Sequence, residues 1–130
     1  MAPYRVWHYQ GMKTVLTDTN IILWTFSGGP DFREAIIEAI PGCSIGIPSC
    51  VLSELEKLKT KESKSALEMC ATLDIIDIGK GYADDMLFEA AKKGNVIATN
   101  DRELLDRLKD SQLNALRIRG KKRLVSTEGD

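Results

Sequence analysis

From Met12 onward, short β-branched or apolar runs alternate with longer stretches of helical period, and no other feature of the 130 residues constrains the fold as strongly. Strands read as continuous apolar runs when both faces of their sheet are covered, so the pattern predicts an α/β fold: a central parallel five-stranded sheet with helices on both faces. The candidate strands are Thr14 to Thr17, Ser44 to Ile47, Ile75 to Ile78, Val96 to Thr99 and Ala115 to Ile118. Helical periods fill the intervals: Asn20 to Phe26, Asp31 to Ile40, Ser49 to Lys59, Lys61 to Leu73, Tyr82 to Lys93 and Asp101 to Lys109. Gly28-Gly29-Pro30, Pro41-Gly42, Pro48, Gly79, Gly81 and Gly94 punctuate the borders.

This length and a 43% hydrophobic content suit one domain with a real core, expected over residues 12–119. Residues 1–11 carry neither period and read as an appended extension or tag; residues 120–130 read as a charged tail. The chain's one histidine, His8, falls in that extension, away from any scaffold that would hold a ligand in place. No apolar run is long enough to span a bilayer and no signal-peptide pattern opens the chain, so a cytoplasmic protein without a membrane partner is expected. Cys43, Cys50 and Cys70 lack metal-site spacing and read as small hydrophobes in a reducing compartment. A net charge of -1 gives no global pull on a polyanion, which would need a local basic surface or a metal.

Acidic residues supply the chemistry. In an open parallel sheet, ligands bind beyond the carboxyl ends of the strands, where strand order reverses. Asp18 follows the first strand and Asp101 follows the fourth with Asn100 between, so both reach that edge. Either could be a plain helix N-cap; Asn100 with Glu103 resembles a capping arrangement that would leave Asp101 free. Asn20 can hydrogen-bond locally at the first helix start. Glu54 flanks the stripe of Val51, Leu55 and Leu58, where partial desolvation is expected. Asp84 and Asp85 open a helix whose Leu87, Phe88 and Ala91 share a face with Asp84, which ranks Asp84 as the inward carboxylate and Asp85 as its supplement. A pocket gathering four carboxylates would carry about -4, several kcal/mol of repulsion unless a hard divalent cation joins it. Without scaffold His or clustered Cys, that cation is expected to be Mg²⁺ or Mn²⁺.

Taken in order, Thr17-Asp18-Thr19-Asn20, Ile47-Pro48-Ser49-Cys50-Val51-Leu52-Ser53-Glu54-Leu55, Tyr82-Ala83-Asp84-Asp85 and Ala98-Thr99-Asn100-Asp101-Arg102-Glu103-Leu104 resemble a PIN domain over nearly all of residues 12–118. The resemblance implies a small three-layer α/β/α sandwich and a metal-dependent ribonuclease, in a family that includes VapC-type toxins and ribosomal-RNA processing enzymes. The Ala-Asp-Asp and Thr-Asn-Asp-Arg-Glu-Leu runs look closer to archaeal proteins of the processing branch. Carried over, the family pattern places its acids at Asp18, Glu54, Asp84 or Asp85, and Asp101, with Thr99 and Asn20 as polar neighbours. It also implies RNA as substrate, cleavage leaving a 5′-phosphate, a homo-oligomer such as a dimer, and an antitoxin or ribosome-assembly partner.

Lys57, Lys61, Arg102, Arg119, Lys121 and Lys122 are candidate phosphate contacts, although solvated helix faces explain many such cations. Trp24 and Phe26 read as packing or interface residues rather than base-stacking platforms. Three rivals stand beside the nuclease. A signalling receiver would need a Lys after its last strand, where this chain has Arg119-Gly120; a haloacid dehalogenase-type phosphatase would need a second Asp where Asn20 stands. The third keeps the fold but makes it a catalytically silent RNA-binding scaffold.

Overall fold

The computed structural model describes residues 13–127. The extension with His8 and the three terminal residues therefore lie outside the description. Six strands form one sheet: β1 (Thr14–Thr17), β2 (Ser44–Pro48), β3 (Asp74–Ile76), β4 (Val96–Ala98), β5 (Ala115–Arg119) and β6 (Arg123–Ser126). Six α-helices connect them: α1 (Thr19–Trp24), prolonged by a 3₁₀ turn at Thr25–Ser27, α2 (Phe32–Ala39), α3 (Ser49–Leu58), α4 (Lys61–Cys70), α5 (Ala83–Lys92) and α6 (Arg102–Asp110). The strand order is β3-β2-β1-β4-β5-β6, parallel throughout except for antiparallel β6. The expected α/β architecture is present, with strand ends one or two residues from their expected places.

Alternation along β1 shows how the layers are filled. Val15 packs with Ile21, Ile22, Phe32, Ile36, Ile47, Val51 and Leu55 in the core beneath α1 to α4. Its neighbour Leu16 points the other way, into a second core with Leu87, Ala90, Ala91, Leu104 and Leu108 from α5 and α6. On β4, Val96 and Ala98 join the first core and Ile97 the second. Strands buried on both faces cannot alternate polar with apolar, which is why they appear as unbroken apolar runs.

The five-stranded expectation needs one correction. The segment expected as a charged tail turns back at Gly120 (φ 65) and pairs Arg119 with Arg123 and Leu116 with Ser126, making a sixth strand. Leu124 is buried in the first core, so one apolar side chain anchors β6 beside the cations of the turn. Cys70 is buried and its thiol is pushed up to about 11 by desolvation, while Cys43 and Cys50 are half-buried free thiols raised for the same reason. Among the described residues, no helix is long and apolar enough to cross a membrane.

Candidate active site

Strand order reverses between β1 and β4, the neighbours from which the chain proceeds in opposite directions across the sheet. Asp18 leaves β1 at this point and is only 5% exposed. Its backbone N–H donates to the Ala98 carbonyl at 2.9 Å, so the two strand ends are tied together at the site itself. Oδ1 of Asp18 accepts from the Thr19 N–H at 2.8 Å, which makes Asp18 the N-cap of α1; Oδ2 accepts from the Thr99 hydroxyl at 2.7 Å and the Asn20 amide at 3.3 Å.

Thr99 and Asn20 lock this half. The buried Thr99 hydroxyl donates to Asp18 while accepting from the Asp101 N–H at 3.1 Å and from Asn20 Nδ2 at 3.5 Å. Asn20 Oδ1 accepts from the Asn100 N–H at 2.9 Å. Asn20 therefore bridges two strand ends, a longer reach than the local role expected for it. The cap of α6 follows the plainer of its two readings. Asp101 itself is the N-cap, accepting from the Glu103 and Leu104 N–H groups at 2.9 and 3.4 Å, because the helix begins at Arg102 and leaves the exposed Asn100 one residue too early.

Across the cleft, the Thr19 hydroxyl donates to Glu54 on α3. Thr19 went unnoticed as a site residue; its signal was its place between two polar residues at the start of a helix. Glu54 is exposed, which corrects the expected partial desolvation: α3 buries Val51 and Leu55 and turns Ser53, Glu54 and Lys57 toward an open cavity. Asp84 is half-buried at the start of α5, whereas Asp85 is exposed and paired with Arg107 of α6 at 2.9 Å. Arg107 is held over the Phe88 ring at 4.4 Å, which draws Asp85 toward the α5–α6 side.

The electrostatics link the four remaining acids. Burial pushes the Asp18 carboxyl above its ordinary range, hydrogen bonds from Thr99 and Thr19 partly oppose this, and the charges of Glu54 and Asp84 add to the rise. Asp84 is raised as well, by burial first and then by Asp101 and Glu54, with Arg107 opposing. Asp18, Glu54, Asp84 and Asp101 thus share one electrostatic neighbourhood. Among the described residues, though, no group of three or more His, Cys, Asp or Glu stands close enough to hold an ion between them.

The candidate phosphate contacts separate by place. Lys57 lines a cavity of about 770 Å³ beside Glu54. Arg102 lines a smaller one of about 390 Å³ with Asn100, Lys109 and Arg117. Arg119, Lys121 and Lys122 are exposed at the β5–β6 turn, and Lys61 is exposed at the start of α4. Trp24 and Phe26 pack against the first core. Neither rival enzyme fits: the observed order differs from the 2-1-3-4-5 order of a flavodoxin-like receiver, and Asn20, tied to Asn100, is no general acid.

Comparison with known proteins agrees with this fold. Residues 15–121 match the family model described as a PIN like domain. The chain is 28% identical over 123 residues to Ribonuclease VapC4 of Methanocaldococcus jannaschii, covering 85% of this chain and 94% of that protein. It shares the fold of the PIN domain endonuclease Utp24 with a TM-score of 0.76 and 23% identity, over 88% of this chain and 90% of the other. With the family model spanning most of the domain, the chain belongs to the PIN-like domain family.

Proposed function

We propose that this protein is a Mg²⁺- or Mn²⁺-dependent endoribonuclease whose site is formed by Asp18, Glu54, Asp84 and Asp101. The observation that carries this reading is Asp18: a carboxyl almost fully buried at the switch point, surrounded by N–H and O–H donors and by other acids, with no guanidinium or ammonium paired to it among the described residues. Such a group is costly unless a cation shares its space. Four carboxylates without His or Cys form an oxygen donor set that suits hard divalent ions. The named relative, a ribonuclease along nearly its whole length, supports RNA as the substrate class.

A divalent ion bound there would supply Lewis-acid stabilisation of phosphodiester oxygens and a more acidic water. The chain's own part is positional. Thr99 and Asn20 fix the Asp18 oxygens, the α6 N-terminus fixes one oxygen of Asp101, and Thr19 orients Glu54. Asp84 is the third acid of the site, and Asp85 is a neighbour engaged by Arg107. Lys57 stands beside Glu54 to meet the substrate's phosphates. Cells would hold the protein in the cytoplasm as a dimer, working as a toxin restrained by an antitoxin or in RNA processing with a ribosome-assembly partner.

The spacing of the carboxylates favours a second reading, a silent RNA-binding scaffold, because among the described residues no three of them stand at ligand distance. One experiment separates the two: incubation of labelled single-stranded and structured RNA with Mg²⁺, Mn²⁺ or EDTA, using wild type, Asp18→Asn and Asp101→Asn. The nuclease gives cleavage that needs the metal and both carboxylates. Binding without cleavage identifies the scaffold, and cleavage surviving in EDTA or in both variants removes the metal mechanism.

A further inference from the structure

A cavity of about 770 Å³ lies beside the acidic site, between the start of α3, the edge strand β3 and the loop before α5. Its volume falls within the range of ligand clefts, roughly 300–1,000 Å³. Ile75, 44% exposed, provides an apolar floor, and Ser49 and Ser53 line the α3 side. Lys57 and Lys80 flank the opening, and neither forms an ion pair with a carboxylate among the described residues. Tyr82 is the most conspicuous side chain: an aromatic ring 83% exposed, two residues before Asp84.

The loop is built to present these groups. Asp77 Oδ1 accepts from the Gly79 N–H at 2.9 Å and from the Ser49 hydroxyl at 3.4 Å, which engages one acid of the cavity in holding the loop to α3. Gly79 (φ 105) and Gly81 (φ 142) adopt conformations that side chains disfavour, and a Cβ on either would meet Met86 at 3.2 or 3.4 Å. The backbone thus lies flat on Met86, with Lys80 and Tyr82 lining the cavity on either side of Gly81. An exposed ring, an apolar floor and two unpaired ammonium groups contiguous with an acidic site match the needs of an unstacked nucleotide: a face to stack on and charges for its flanking phosphates.

We propose that this cavity is a nucleotide subsite that takes one unstacked base of a single-stranded segment next to the scissile phosphate, stacked on Tyr82 with its flanking phosphates on Lys57 and Lys80. The inference rests on the RNA half of the function proposed above. It gives the enzyme a preference for single strands, since a paired base cannot reach the ring.

The test is fluorescence anisotropy of a labelled single-stranded oligoribonucleotide and of the matching duplex, titrated with the full chain carrying Asp101→Asn in Mg²⁺. Adding Tyr82→Ala should weaken single-strand binding by roughly 5- to 150-fold, the measured range for losing one base–aromatic stack. Duplex binding should change less than about twofold, because a paired base makes no such stack. Tyr82→Phe should restore binding, since the ring and not the hydroxyl does the work. Lys57→Ala and Lys80→Ala should each lower the salt dependence by about 0.7 in the log–log slope, with Lys109→Ala at the other cavity having less effect on affinity. Tyr82 is surface-exposed, so its variants keep the fold. Binding indifferent to Tyr82, or lysine effects no larger than that of Lys109→Ala, would overturn the subsite. Tyr82-dependent binding by a wild type that cleaves no RNA would remove the nuclease and keep the subsite; cleavage with Tyr82-independent binding would do the reverse.

Discussion

Asp18 and Asp101 sit at strand ends, their oxygens engaged by backbone N–H groups and, for Asp18, by Thr99 and Asn20. Glu54 and Asp84 sit on helices across the cleft, one receiving a single hydroxyl and the other accepting no hydrogen bond from a described residue. The first half is rigid because each donor is itself held by a second bond, as Thr99 is by Asp101 and Asn20 by Asn100. The second half has fewer such bonds and is the more adjustable. In the function proposed above, the fixed half would set where a cation enters and the less tethered carboxylates would complete its shell, so the like charges need not be assembled in advance.

The largest effect should come from the rigid half. Asp101→Asn should cut RNA cleavage by at least about 100-fold, since even indirect partners of metal ligands cost 10- to 100-fold. Glu54→Gln, on the adjustable side, should lose less in the same assay; equal losses would erase the distinction. Thr99→Val removes the donor to Asp18 and leaves the Asp101 N–H unpaired, so unfolding in urea should show a loss of about 1–3 kcal/mol.

Asp18 also makes a pH prediction. Its folded-state carboxyl is raised, so the folded protein holds that proton more tightly than the unfolded chain, and stability falls as pH rises from the unfolded value of 3.8 through the raised folded one. In EDTA at pH 7, Asp18→Asn should therefore melt above wild type, and the gap should close below that unfolded value. Adding Mn²⁺ should raise the wild-type melting temperature and leave the variant nearly unmoved. A gap that stays constant with pH would show that burial of this charge is not the cause. The smallest effect belongs to Asp85→Ala, which breaks an exposed pair with Arg107 and should cost about 0.2–1 kcal/mol.

Much of this was legible before any coordinate. The run Val-Leu-Thr before Asp18 and Val-Ile-Ala before Thr99 announce buried strands, and an acid directly after the first and three residues after the second can only fall at the carboxyl edge. Glu54 was harder, because helical phase gives the face of a residue but not what lies opposite it; the open cavity there is a product of the β3 edge and the loop of Gly79 to Tyr82. β6 was illegible for a related reason. Its identity rests on Leu124 meeting a distant core, and the neighbouring cations hide that single contact from any local pattern. The cap of α6 stayed open between two residues, since Asn100 and Asp101 have nearly equal capping propensity; the structure gives it to Asp101 while Asn20 holds the Asn100 N–H.

The hydrogen bond between Thr99 and Asp18 joins residues 81 positions apart. Loops that long close slowly and late, after local helices and the β1–β2 pairing have formed. During synthesis, then, the first part of this domain emerges with an unfinished site: Asp18 is made early, yet its keeper belongs to a strand that leaves the ribosome much later. If the function proposed above holds, a newborn chain would spare the RNA that surrounds its own translation until β4 slots beside β1, and competence would arrive together with completion of the fold.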